Sequence, residues 1–314
     1  MSKQVLDSHR QLDELVINWH ITEACNYRCK YCYSTWSRPN HAYDLCRSRT
    51  RTRQFLSSLR AYFDSSCSMN PLTRTLSWRS LRLSIAGGEA TLYNSRLPEI
   101  VGEAKELGFE VSLISNGSFF TNEMMQLVTP NLAMLGVSID SVSPTTNLAI
   151  GRVQQDGSIL DTKLLVEHLS NVRALHPALK LKINTVVNAA NVYEDLTPWI
   201  RILSPERWKV LRVLPVVSDA LSVTDEQFQQ FVLRHAPLTS VMSVEDNDDM
   251  TESYIMLDPY GRFFQNSGGG TSEPYCFSDP VGEVGVHEAF SQVRFSAMKF
   301  VERYQPASSS RREA

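Results

Sequence analysis

The chain lacks any long apolar run. No window approaches the roughly 18 apolar residues of a membrane span, and the opening MSKQVLDSHRQLDELVINW has no stretch long enough for a signal peptide. The expected location is therefore the cytoplasm, with no membrane span. Charge of one sign is also scarce: 31 Lys and Arg against 34 Asp and Glu give a net charge of -3, which implies no nucleic-acid-binding surface. Cysteine is sparse, at six in 314 residues, with three clustered and Cys46, Cys67 and Cys276 scattered. That is not the dense, even pattern of a disulfide scaffold. Internal repeats and clear linkers are missing too. What remains is an ordinary globular composition, 42% hydrophobic and 21% charged, in a chain long enough for one large α/β barrel or two small domains.

Short apolar runs alternate with amphipathic stretches: LVINWHI (15–21), SLRLSIA (80–86), FEVSLIS (109–115), LAMLGVSID (132–140), LKLKINTVV (179–187) and WKVLRVL (208–214). Helical patterns such as SRLPEIVGEAKELG and TKLLVEHLSNVRALH lie between them, which predicts repeated βα units around a parallel sheet. Parallel strands are usually apolar on both faces, yet these carry polar residues at a period of two. Asn18 and His20 share a face, as do Arg82 and Ser84, Ser138 and Asp140, and Lys182, Asn184 and Asn188. A sheet curved so that these faces converge is a barrel with a functional lumen. Six such strands predict an open six-unit barrel over 15–220, after a short segment 1–14 and before a C-terminal extension 221–314 that closes the site. An open doubly wound sheet is the alternative. The arginines at 47, 49, 51 and 53 in LCRSRTRTRQFLSSLRAYF read as a solvated helix face. QNSGGGTSEPYCFSDP reads as a loop, and the terminal SSSRREA as frayed.

The stretch ITEACNYRCKYCYS places Cys25, Cys29 and Cys32 at C-x3-C-x2-C directly after the first strand. Structural zinc needs four closed ligands, and a fourth from Cys46 or His41 would fall at no familiar spacing. A [4Fe-4S] cluster held by three cysteines leaves one iron open to a substrate or cofactor. Buried structural cysteines are the plainer alternative. After the second strand comes AGGEA (86–90), in which Gly87 and Gly88 permit close backbone approach and Glu89 offers an acceptor to a cationic amine. The third and fourth strands end in ISNGS (114–118) and SIDS (138–141).

With these motifs the chain resembles the radical S-adenosylmethionine (SAM) superfamily. Over roughly residues 15–300, the segments VINWHITEACNYRCKYCYS, SNGS, SIDS followed by AIGR, KINTVVNAANVYEDLTPWI, PERWKV and SYIMLDPYGRF are similar, in order, to the viperin-like enzymes. The resemblance implies an α/β fold, a partial (βα)6 TIM barrel of the radical SAM type with a C-terminal extension. It implies a [4Fe-4S] cluster on Cys25, Cys29 and Cys32, with SAM chelated by the open iron. Gly87, Gly88 and Glu89 would hold the methionine amine, and Ser115, Asn116 and Ser138 would lie around the ribose or carboxylate. Tyr31 takes the aromatic place before the last cysteine.

The implied reaction acts on a nucleoside triphosphate, CTP or UTP favoured. A 5'-deoxyadenosyl radical takes the 4' hydrogen, the 3' hydroxyl leaves as water, and one electron and one proton complete a 3'-deoxy-3',4'-didehydro nucleotide. In the family this product is antiviral. A triphosphate needs several cationic donors in a water-poor lumen, and the alternation aims Arg82, Lys182 and Arg212 there, with Asn18, His20 and Asn184 beside them. Arg152 lies in the matching IGR segment, and Tyr254 matches a tyrosine near the sugar, a candidate for hydrogen or proton delivery. A packed tyrosine with a satisfied hydroxyl is the other reading of Tyr254. The implied partners are a flavodoxin- or ferredoxin-type electron donor and the nucleotide itself, with the chain acting as a monomer.

Several positions depart from the family pattern. Ala90 replaces the usual proline after GGE, VQQDGSI replaces a lysine-rich segment, and NSGGGTSEP replaces a basic phosphate loop. A glycine nest, Lys180 or the arginines near 50 would have to compensate. A substrate with fewer charges, such as UDP-glucose, is equally compatible with that loss. The membrane-binding amphipathic helix of animal members is not expected, since the domain begins almost at Met1. Other readings are a peptide-modifying radical SAM enzyme, which usually adds a cysteine-rich C-terminal domain where only Cys276 lies here, and a non-catalytic metal-stabilised binding protein.

Overall fold

The computed structural model describes residues 9–34, 44–215, 219–266 and 275–304. His41, the glycines 268–270 and the terminal SSSRREA lie outside them. Strands β1 (Arg10–His20), β2 (Leu76–Ala86), β3 (Glu110–Ser115), β4 (Met134–Ser138), β5 (Lys180–Val187) and β6 (Arg207–Arg212) coincide with the six apolar runs and pair in parallel, each with the next. Two short strands extend this set, β7 (Met242–Glu245) beside β6 and β8 (Ile255–Leu257) beside β1, both parallel. Antiparallel β9 (Arg262–Asn266) and β10 (Tyr275–Pro280) complete the order β10-β9-β8-β1-β2-β3-β4-β5-β6-β7.

Helices fill the connections: α1 (Arg49–Tyr62), α2 (Leu97–Glu106), α3 (Asn122–Val128), α4 (Pro144–Ile150), α5 (Thr162–Leu175), α6 (Thr197–Leu203), α7 (Asp225–Arg234) and α8 (Asn247–Met250). After β10 come α9 (Val281–Val284), α10 (Val286–Ser291) and α11 (Ala297–Tyr304). Several start where the sequence supplies a capping oxygen. Ser48, Thr121, Ser143, Asp161 and Thr224 each accept from a backbone N–H of the first turn, a contact whose loss costs about 1 kcal/mol.

Strand parity sorts the side chains. Ile17, Trp19, Leu83, Ile85, Val111, Val137, Ile183 and Trp208 are wholly buried in the main apolar core, each worth about 1.5–3 kcal/mol of burial. Asn18, Ser84, Ser112, Gly136, Lys182 and Lys209, of the opposite parity, line one interior cavity. The polar faces therefore do converge, and the sheet is curved into a partial barrel rather than lying open. β7 and β8 share no ladder pairing, and this seam is crossed by side chains. Among the described residues, no helix is long and apolar enough to cross a membrane.

Candidate active site

The cysteine loop leaves β1 at its C-terminal end and is fastened from three sides. The N–H groups of Gly88 and Glu89 donate to the carbonyls of Thr22 (2.6 Å) and Ala24 (2.8 Å). A Cβ on Gly88 would collide with the carbonyl oxygens of Glu23 and Ala24, so only glycine lets the end of β2 come this close. On the far side, Arg28 and Lys30 donate their N–H groups to the carbonyls of Gly151 (3.1 Å) and Ile150 (2.9 Å). Gly151 has φ 86°, and a Cβ there would strike the carbonyl of Arg28. From above β3, Asn26 donates to Ser118 Oγ (2.8 Å) and Gln154 Oε1 (3.1 Å) and accepts from Asn116 Nδ2 (2.9 Å).

Cys25, Cys29 and Cys32 are free and partly exposed. Burial pushes the Cys25 thiol up to about 11, opposed by the N–H of Tyr27, and pushes Cys29 up to about 12, opposed by Arg152. Such thiols lose their protons to a metal rather than to water. The three lie within electrostatic reach of one another. Yet among the described residues no three His, Cys, Asp or Glu side chains gather tightly enough for a single ion. Two N–H groups face the Cys25 sulfur, from Tyr27 (3.4 Å) and Asn116 Nδ2 (3.9 Å), the kind of contact that tunes a cluster's potential.

Around this loop the polar residues at the strand ends form a closed set. Glu89 is buried, and its carboxylate accepts from Thr91 N (3.1 Å), Thr91 Oγ1 (2.6 Å), Ser115 Oγ (2.8 Å) and Asn116 N (2.6 Å). Burial raises its pKa and these four bonds offset part of the rise. Glu89 thus brackets the ends of β2 and β3 together, a task the sequence did not reveal. Beyond β4, Asp140 accepts from the Tyr31 hydroxyl, from Arg152 (3.4 Å) and from Val186 N (2.9 Å). Arg152 also donates to the Ser138 carbonyl (2.6 Å) and lies over the Tyr27 ring.

Below the loop, residues from β1 to β6, with Tyr254 and Arg303, line a single polar cavity. Five cations reach it: Arg82, Lys182, Arg207, Lys209 and Arg303. Arg82 pairs with Glu14 (2.5 Å), and Lys209 (2.8 Å) and Arg303 (3.4 Å) share Glu245. Burial drives Lys209 down to about 7; burial would likewise raise Glu245, but Lys209 and Arg303 outweigh it and hold the carboxylate at about 2. The Lys182 side chain makes no ion pair or hydrogen bond among the described residues; burial together with Lys209, Arg207 and Arg82 lowers its pKa well below the usual value, and Glu245 opposes them in part. Such an ammonium group is stabilised by an anion placed in the cavity. The Asn184 side chain lies beside Gly136, and its Oδ1 is buried without a hydrogen-bond partner. Tyr254 crosses the β7–β8 seam: its hydroxyl donates to Glu245 and accepts from Lys209, and the Arg303 guanidinium stacks 3.3 Å from its ring centre.

Asn18, Arg82, Lys182 and Tyr254 therefore meet in one cavity, as expected. Four expected substrate residues do not line it: Asn184 lies against the wall at Gly136, and Arg212, Arg152 and His20 lie elsewhere. Arg212 has the parity of Trp208 and Val210, not of Lys209, so it faces the helix layer. There it binds Asp225 (2.7 Å), Asp246 (3.2 Å) and the Val223 carbonyl (2.6 Å) over Phe228. Arg152 is spent on the cysteine loop and Asp140, because Gly151 docks its segment there. His20 sits above the cavity between Tyr33 and Phe264, where burial lowers its pKa to about 3 and keeps it neutral. The sequence reading missed Arg207, Lys209, Glu245 and Arg303. The pattern R-W-K, charged residues at a period of two about a tryptophan, could have revealed the first two. Nothing in the sequence announces Arg303, which arrives from α11.

No family model matches the chain. A protein of Psychrobacter lutiphocae called S-adenosylmethionine-dependent nucleotide dehydratase is 39% identical over 298 residues, covering 94% of this chain and 96% of its own. One of Pseudoalteromonas ulvae with the same name is 42% identical over 294 residues, 94% of each. S-adenosylmethionine-dependent nucleotide dehydratase RSAD2 of Danio rerio is 31% identical over 91% of this chain and 76% of its own. Among solved structures, native anSMEcpe with bound AdoMet and Kp18Cys peptide overlays with a TM-score of 0.61 at 14% identity, covering 91% of this chain and 84% of that one. Streptococcus suis SuiB bound to S-adenosylmethionine overlays at 0.56 and 12%, covering 91% and 65%. These overlays establish the shared fold, the partial barrel of radical SAM enzymes. The relatives establish the family: this chain belongs to the viperin-like S-adenosylmethionine-dependent nucleotide dehydratases.

Proposed function

We propose that this chain dehydrates a nucleotide whose phosphates lie in the cationic lumen and whose ribose points up to the cysteine loop. The observation that carries the reading is the convergence of five cations on one cavity beneath C-x3-C-x2-C. Charge-assisted bonds to phosphate are strong in such a water-poor space. Arg207, Lys209 and Arg303 supply the charge that the VQQDGSI and NSGGGTSEP segments do not.

Cys25, Cys29 and Cys32 would hold the [4Fe-4S] cluster. Gly87, Gly88, Glu89, Ser115, Asn116, Ser138 and Tyr31 would surround SAM, with Arg152 and Asp140 positioning the loop from below. When bound, these groups supply a 5'-deoxyadenosyl radical that removes the 4' hydrogen. The protein's part is to hold the ribose, exclude water and deliver a proton as the 3' hydroxyl leaves, the remaining electron coming from a flavodoxin- or ferredoxin-type partner. Tyr254, hydrogen-bonded between Lys209 and Glu245, is the group we assign to that delivery. A pyrimidine triphosphate is the favoured substrate, and the enzyme is read as a cytoplasmic monomer.

The test is anaerobic incubation of the reconstituted, reduced protein with SAM and a panel of nucleotides and nucleotide sugars, followed by mass spectrometry. Loss of one water from a nucleoside triphosphate, with 5'-deoxyadenosine formed alongside, is the expected result. If no panel member yields 5'-deoxyadenosine above background, the reading fails.

A further inference from the structure

We propose that the outer face of the cysteine loop, around Arg28 and Lys30, is the surface on which an acidic one-electron carrier docks. This rests on the reading that Cys25, Cys29 and Cys32 hold the cluster, and it gives a place on the molecule to the electron supply which that reading requires.

The loop's own alternation carries the argument. Cys29 is half-buried, whereas Arg28 before it and Lys30 after it are exposed. The backbone between them is fixed, because Arg28 and Lys30 donate their N–H groups to the carbonyls of Gly151 (3.1 Å) and Ile150 (2.9 Å). The arginines of α1 are matched by carboxylates, Arg49 by Glu99 and Arg53 by Glu106 (3.3 Å), while the side chains of Arg28 and Lys30 have no ion pair or hydrogen bond among the described residues. On the neighbouring connection the exposed Asp156 bonds back to Ser158 in its own turn and to neither cation. Exposed apolar side chains rim the loop. Leu148 lies in the last turn of α4, just before the two carbonyls that hold the loop, and Phe119 follows Ser118, whose hydroxyl accepts from Asn26 (2.8 Å).

Unmatched cations beside scattered apolar groups fit a small, transient contact. Electron-transfer encounters bury less than about 1,200 Å², and complementary charge governs how fast such partners meet more than how tightly they hold. Carboxylates of an acidic carrier are steered to Arg28 and Lys30, which brings its redox centre to the loop that binds the cluster and leaves the lumen to the nucleotide. The step itself moves one electron from a flavin hydroquinone, which becomes the semiquinone, to the oxidised cluster, which becomes the reduced one; no atom is exchanged.

The experiment follows cluster reduction by stopped flow in the anaerobic, cluster-loaded enzyme. The donor is a flavodoxin of strongly negative net charge, reduced to the hydroquinone, and KCl is varied at fixed pH. Methyl viologen radical, a small cation, serves as a donor that needs no docking surface, and the Kd of oxidised flavodoxin is measured alongside. The wild-type rate constant should fall steeply with salt. Combining Arg28→Gln with Lys30→Gln should lower it about tenfold at low ionic strength, weaken flavodoxin binding, and converge with wild type at high salt, where screening removes the difference. Iron content and reduction by methyl viologen should not change. A double variant that flavodoxin binds and reduces as it does the wild type overturns the proposal and leaves the cluster reading standing. A variant slowed equally with both donors also overturns it, because the two residues then act on the cluster and not on the carrier. A reconstituted wild-type protein with no reducible cluster overturns the proposal and that reading together.

Discussion

At the scale of single residues, Lys182 is the side chain whose environment argues most directly for a ligand. It is half-buried, with three like charges and the Glu245 carboxylate acting on it, and Asn184 beside it in β5 carries an acceptor without a partner. Replacing Lys182 with Ala removes one charge-assisted contact, worth about 1.5–3 kcal/mol. Nucleotide affinity should fall about 10- to 100-fold while iron content stays the same, as checked by calorimetry and an iron assay. Proton linkage gives a second expectation. Lys209 is held down to about 7 and Lys182 is also lowered, so the free lumen sheds protons as pH rises above 7, and an anion draws them back. Nucleotide affinity should therefore weaken between about pH 7.5 and 9.5, above the terminal phosphate's own ionisation near 6. Titrations in buffers of different ionisation enthalpy should report proton uptake, and affinity independent of pH would contradict it. The sign for folding is opposite. The unfolded chain keeps these lysines protonated to about 10.4, so over the same window their contribution to the stability of the free protein rises with pH.

At the scale of elements, the cysteine loop owes its place to two glycines on different connections, Gly88 after β2 and Gly151 after α4. Gly151→Ala would force a left-handed backbone on an L residue, at about 1–3 kcal/mol, and would drive a methyl group into the Arg28 carbonyl. The expected outcome is a folded protein, by circular dichroism, that retains markedly less iron after reconstitution; full iron loading would show that the loop finds its position by other means. α11 is the other element whose task is local. Through Arg303 it buttresses Tyr254 and Glu245 across the seam where β7 and β8 do not pair. Arg303→Met should raise the 5'-deoxyadenosine formed per molecule of nucleotide converted, because a misplaced Tyr254 lets the radical be spent unproductively, and Arg303→Lys should restore part of the coupling. A purely structural role would lower both yields together.

At the scale of the whole molecule, a net charge of -3 conceals a cationic interior. Composition excluded a basic surface and was silent about the lumen, where the opposing carboxylates are few. Much of the barrel was legible because β1–β6 carry periodic polar residues over five or more positions, long enough for parity to be read. β7 and β8, at four and three residues, are too short to show a period, so the two strands flanking the seam went unseen, and with them Glu245. Arg212 misled because the alternation was carried over to β6 without being worked out there, where Arg212 shares the parity of the buried Trp208. The cysteine loop was legible down to its chemistry, since spacing fixes which side chains can converge. Its fastening by Gly151, Asp140 and Asn26 was not, because those contacts join segments distant in sequence.

The central claim is that the radical made at this loop reaches the ribose of a nucleotide held by the lumen cations. The most direct measurement uses CTP or UTP deuterated at the 4' carbon, turned over anaerobically by the reduced enzyme with SAM. The account predicts deuterium in the 5'-deoxyadenosine and a nucleotide product lighter by one water. 5'-Deoxyadenosine free of deuterium, formed at the same rate with and without nucleotide, would contradict it.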